Sequence, residues 1–163
     1  MNRRTALKLS FVAAASPFFL ISNVHAAKGK GPTYIDKKGH AIKGYDTVAY
    51  FTENKPVVGK PEFQHQWKHA TWFFSSQANL DLFKSAPEKY APQYGGYCAY
   101  AIAIDRLVPI DPTQFTVLDN KLYLNYSPRI QRRWEKNRDN YLRDSEKNWP
   151  KLLADINANF GNS

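Results

Sequence analysis

Hydrophobic and polar positions fall into three regimes along the chain. The first is an apolar run from Leu9 to Ile21, broken by Pro17. The second, from Tyr34 to Leu124, shows short alternating segments separated by turns. Phe63, His65 and Trp67 alternate with Gln64 and Gln66, a period of two that predicts a strand over Glu62 to Trp67. A tight connection at Lys68-His69 then leads into Thr71-Trp72-Phe73-Phe74, giving a hairpin. Phe115 to Leu118 and Leu122 to Leu124 predict a second hairpin around Asp119-Asn120. Tyr34 to Phe51 reads as extended, with turns at Lys37-Lys38-Gly39 and Lys43-Gly44 and a β-rich Thr47 to Thr52.

Helical signals punctuate this pattern. Ser75 or Ser76 caps a helix through about Lys84 that faces Leu80 and Phe83 inward. Pro87 opens a short helical turn ending near Tyr90. Ala99 to Ala103 is too short to separate buried strand from helical turn, and Asp105 to Pro112 reads as loop. In the third regime, Ser127-Pro128 has the chemistry of a helix start. Helical spacing then links Ile130 with Trp134, and Trp149 with Leu152, Leu153 and Ile156. Pro150 is expected to divide this region into two helices. The assembly implied is an α+β domain: a small antiparallel β-sheet of hairpins packed against several helices, including a C-terminal helical pair.

Charge refines the ends of the chain. Arg3 and Arg4 precede the first apolar run, and Val24-His25-Ala26 follows it with small residues at cleavage positions. That run is shorter than the roughly 20 residues of a membrane-spanning helix. Residues 1–26 therefore read as an export signal, twin-arginine-like through Asn2-Arg3-Arg4-Thr5, with a Sec-type signal as the alternative. Residues 27–163 remain as a single domain, periplasmic or secreted, opening on a short lead-in from Lys28 to Pro32. Removing Arg3, Arg4 and Lys8 lowers the formal charge from +9 to +6. A basic exported protein can meet anionic surfaces, whereas nucleic acid is a poor partner with no recognition motif present. No later segment reads as a transmembrane anchor, and self-association is left open.

The candidate chemistry gathers at Tyr94-Gly95-Gly96-Tyr97-Cys98, which holds the single cysteine. Adjacent glycines allow close approaches that a β-carbon forbids. One reading makes Cys98 a thiolate metal ligand joined by His65 and His69, a donor set suited to a copper or zinc ion. Packing between Phe63 and Trp67 is the plainer account of His65, and His69 and His40 sit on turns. A second reading is thiol-redox or peroxide chemistry at Cys98, for which no resolving cysteine exists. A third is a metal-free binding module for a small molecule, with Tyr45, Trp67, Trp72, Tyr94, Tyr97 and Tyr100 as pocket aromatics. Burial as a small hydrophobe is the remaining account of Cys98. Between Arg129 and Arg143 the basic residues alternate with acidic ones, as on a solvated helix face, although an anionic surface would also suit them.

Gly44-Tyr45-Asp46-Thr47-Val48-Ala49-Tyr50-Phe51, Trp72-Phe73-Phe74-Ser75-Ser76, Pro87-Glu88-Lys89-Tyr90 and the Tyr94 to Ala99 segment together resemble the YHS-domain family, in its exported bacterial form. Leu122 to Tyr126 and Asn148 to Leu152 fit the same series. Some relatives carry selenocysteine at the position matching Cys98. The resemblance implies a metal-binding association and a site around Tyr45, Asp46, Tyr94, Gly95, Gly96, Tyr97 and Cys98. Asp46 would there cap a turn or donate an oxygen. Ser75 and Ser76 stand where cysteine-rich relatives carry a second thiol, so a multi-thiolate site is not implied.

Overall fold

The computed structural model describes residues 31–160; the export signal read over residues 1–26 lies outside them. Two β-hairpins and a set of helices form the α+β fold expected. The first hairpin pairs β1 (Lys60–Trp67) with β2 (Ala70–Phe74), and the second pairs β3 (Asp111–Leu118) with β4 (Lys121–Asn125). The hairpins stay separate two-stranded sheets instead of forming one. Single bridges tie neighbouring segments to them, including Cys98 to Leu124 and Pro92 to Leu122. Both two-residue loops, Lys68-His69 and Asp119-Asn120, have positive φ at each position, the geometry whose twist matches flanking strands. β3 starts at Asp111, so the expected loop ends slightly earlier.

One stretch read as extended is helical. Residues Ala49–Thr52 form α1, because the Asp46 carboxylate accepts from the N–H groups of Val48 (2.9 Å) and Ala49 (3.3 Å) and starts a helical turn. That local bond outweighs the β preference of the side chains. Helix α2 (Gln77–Ser85) is capped by Ser76, and Leu80 and Phe83 point inward. Then come α3 (Pro87–Tyr90) and α4 (Ala99–Ala103), so the undecided apolar run is a helical turn. Ser127 caps α5 (Pro128–Lys136). The C-terminal pair is completed by α6 (Arg138–Phe160), which runs through Pro150 without interruption. The division expected at Pro150 falls instead at Asn137. Pro150 lies on the exposed face, while Trp149 and Leu152 pack inward on either side of it and keep the helix in line.

Two apolar clusters hold these elements. Trp72, Phe74 and Phe83 anchor the first beneath β1–β2, with Trp72 and Phe83 stacked at 5.3 Å. Tyr94, Tyr97, Tyr123 and Trp134 anchor the second, where α4 meets α6. Polar side chains of α6 bond to carbonyls of α4. Asn148 donates to Ile102 (3.1 Å) and Ala103 (3.0 Å), and Ser145 donates to Ala99 (3.2 Å). Unpaired carbonyls at a buried helix end are costly, so these bonds fix α6 against the domain. Among the described residues, no helix is long and apolar enough to cross a membrane.

Candidate functional site

The glycine pair behaves as its spacing implied. Gly95 and Gly96 both have positive φ, and a Cβ on Gly95 would overlap the Pro32 carbonyl oxygen. Tyr34 N–H donates to the Gly95 carbonyl at 2.8 Å, so the N-terminal strap crosses directly over the turn. Tyr94 is also left-handed, at φ 56°. Strain at a bulky non-glycine residue persists only where the surroundings impose it.

Cys98 is 1% exposed. Its Sγ lies 3.5 Å from the Asn125 side-chain oxygen, which also accepts from Tyr100 N–H at 3.1 Å. Asn125 donates in turn to Gln131 (2.7 Å), which donates onward to Thr116 and Glu135. Burial raises the thiol above its ordinary value of 9.0, and nearby backbone groups of Ala101, Tyr126 and Tyr100 offset this only in part. The sulfur is thus a protonated, buried group at neutral pH, held in an amide network.

The other residues picked from the sequence fall at several places. His65 packs on Phe83, and its imidazole is pushed toward the neutral form by desolvation and then by Lys84. His69 sits in the β1–β2 loop against Phe160. His40 faces Asp36 at 3.5 Å and meets the Phe73 ring. Among the described residues, no three His, Cys, Asp or Glu side chains converge to hold a metal ion. Cys98, His65 and His69 are therefore not a donor set here, and the residues present do not fit copper or zinc. Asp46 is fully buried and acts as a structural acceptor, taking further bonds from Ser75 N–H (2.8 Å), Ser75 Oγ (2.6 Å) and Asn79 (2.7 Å). Tyr45 forms a bridge with Val58, and Tyr97 donates to the Gly31 carbonyl at 2.8 Å. Gly96 packs on Ile42 and Pro92, and Tyr100 on Tyr141.

What the fold does bring together is a cleft of about 410 Å³ between the β1–β2 loop, the Pro92 to Gly95 turn and α6. Trp67, Trp72, Tyr94 and Trp149 supply its aromatic wall, with Leu153 beside them. Lys68, His69, Glu88, Gln93 and Asn157 supply polar groups. Lys68 Nζ bonds Glu88 at 2.7 Å and rests 4.4 Å above the Trp67 ring. Tyr94 meets Trp149 edge-on at 5.9 Å, and burial raises its phenol to about 12, so it stays a neutral donor. Tyr94, Gly95, His69, Trp67 and Trp72 from the sequence reading converge here. Lys68, Glu88, Trp149, Leu153 and Asn157 were missed. The spacing of Trp149, Leu153 and Asn157, four apart on a helix, marks one face and was the signal available.

Residues 48–94 match the family model of the YHS domain. No curated protein matches the chain, and no solved structure does. The matched span runs from just before α1 to Tyr94; it excludes Cys98 and all of α6. Six of the fifteen residues lining the cleft, Trp149, Leu153 and Asn157 among them, lie outside the family match.

Proposed function

We propose that the protein is an exported, non-catalytic binding module whose ligand occupies the cleft between the β1–β2 loop and α6. The ligand is small and flat, with an apolar body against Trp67, Tyr94 and Trp149 and an acceptor or anionic group toward Lys68 and His69. The observation that carries this reading is the convergence of those aromatic and polar groups around about 410 Å³. That volume lies in the range of roughly 300–1,000 Å³ typical of small-molecule sites. Export is supported by the paired arginines, apolar run and small residues of the first 26 positions, and it would place the ligand in the periplasm or outside the cell.

Metal binding is the association of the YHS family in general, and for this chain it carries no mechanism. The three donors picked from the sequence, Cys98, His65 and His69, form no metal-holding cluster among the described residues. Redox use of Cys98 faces a similar obstacle, since its thiol is covered and its thiolate disfavoured by burial.

Three tryptophans line the cleft, so occupancy changes tryptophan emission. Titration of the mature protein with anilinonaphthalene sulfonate is expected to saturate at one equivalent. Trp149→Ala should weaken it at least tenfold, about 1.4 kcal/mol, while Tyr126→Ala on the exposed surface leaves it unchanged. Absence of saturable binding, or equal binding by both variants, overturns the reading. A stoichiometric copper or zinc ion in protein purified without affinity metals, lost in Cys98→Ser, would replace it.

A further inference from the structure

Helix α5 carries a stripe of like charge that its own fold does not use. Ile130, Gln131 and Trp134 face the core, and Arg129, Arg132, Arg133 and Lys136 share the outer face at spacings of three and four. Side chains three and four apart on a helix are neighbours, and like charges there destabilise it. A solvated face normally relieves this with interleaved carboxylates. Glu135 is held elsewhere, accepting from Gln131 at 2.9 Å. Among the described residues, none of the four cations makes an ion pair.

The stripe is one wall of a second, shallow cleft of about 410 Å³, bordered by Asn137 and Tyr141, with no acidic residue in its lining. Arg133 is already positioned. Its Nη1 donates to the Tyr100 hydroxyl at 3.3 Å, and its guanidinium rests 5.8 Å from that ring. Tyr100 is braced by Tyr141 at 5.1 Å. The C-terminal end of α5 favours the cations of its last turn, which accounts for Arg133 and Lys136. It does not account for Arg129 and Arg132 nearer the start.

The geometry points to a binding site for a small soluble polyanion carrying two or more phosphate-type groups, held by Arg129, Arg132, Arg133 and Lys136. Guanidinium forks match such oxyanions bidentately, and four cations gathered around one shallow cleft match the charge of a compact ligand. An anionic bilayer is the other source of this chemistry. It is disfavoured because the apolar face of α5 is committed to the core through Trp134, leaving nothing on that helix to insert. The site is independent of the aromatic cleft and stands or falls separately from it.

Calorimetric titration of the mature protein with tripolyphosphate tests it. One equivalent should bind saturably, with affinity that weakens as salt screens the cations. Arg132→Gln with Arg133→Gln should cost about tenfold or more, as for loss of a charge-assisted hydrogen bond. The control pair Lys37→Gln with Lys38→Gln removes the same net charge elsewhere and should leave binding unchanged. Because the stripe repels itself, the Arg132 and Arg133 variant should melt at an unchanged or higher temperature, which excludes misfolding as the cause. Equal loss in the control pair overturns the proposal, as does non-saturable binding. Binding only to phosphatidylglycerol vesicles overturns it in favour of a membrane surface.

Discussion

Asp46 shows how a charged residue can be functional in appearance and structural in fact. Its two oxygens accept five bonds, from the N–H groups of Val48, Ala49 and Ser75, the Ser75 hydroxyl and Asn79. One side chain thus starts α1 and joins it to the start of α2. Replacement by alanine leaves several buried donors without partners, each costing about 1–3 kcal/mol. Asp46→Ala should therefore lower unfolding free energy by about 3 kcal/mol or more, read from the urea midpoint at unchanged slope. A loss below about 1 kcal/mol would show that water or rearranged side chains replace the carboxylate. The turn-capping reading of Asp46 was available from the local sequence, because its first two partners lie within three residues. The surroundings of Cys98 were not. Its neighbour Asn125 is brought beside it by the pairing of β4, and nothing near Cys98 in sequence announces that.

Turns and helix ends separate what local chemistry decides from what packing decides. The two hairpin loops make the contrast. Asp119-Asn120 has residues that tolerate positive φ, and that hairpin was legible from its turn. Lys68-His69 adopts the same backbone sign although Lys68 is poorly suited to it. Both belong to the aromatic cleft, and a local rule broken at a candidate site is where function is expected to outweigh stability. Changing the pair to Asn-Gly relieves left-handed strain and should stabilise the protein by about 1 kcal/mol while removing saturable binding of anilinonaphthalene sulfonate. Stabilisation with binding retained would place the ligand away from that loop. The errors in reading elements have the same origin. Residues 49–52 have β-type side chains yet turn helical under the Asp46 bonds, and Pro150 is carried within α6 because packing on both sides of it outweighs one missing backbone bond.

At the scale of the whole molecule, the two apolar clusters are tied to pH through their tyrosines. Burial raises Tyr50, Tyr94 and Tyr97 above the ordinary phenol value of 10.0, Tyr94 and Tyr97 to about 12, and raises the Cys98 thiol as well. In each case the folded chain holds its proton more tightly than the unfolded one. Their contribution to stability is complete below the unfolded values and is lost as pH rises toward the folded ones. Unfolding free energy should be flat from about pH 7 to 8, begin to decline near pH 9 as the unfolded Cys98 thiol ionises, and fall steadily above about pH 10, with more than one proton released per molecule. Because Tyr50 lies in one cluster and Tyr94 and Tyr97 in the other, the fall should be a single cooperative transition and not the loss of one region. Tyr97→Phe removes the bond to the Gly31 carbonyl. It should cost about 1 kcal/mol at neutral pH yet lessen the alkaline slope by about one proton. Urea unfolding followed across this range by tyrosinate absorbance and by tryptophan emission measures both. Stability that stays constant to about pH 11, or two transitions that separate, would mean that these phenols meet water in the folded protein and that the two clusters do not share one core.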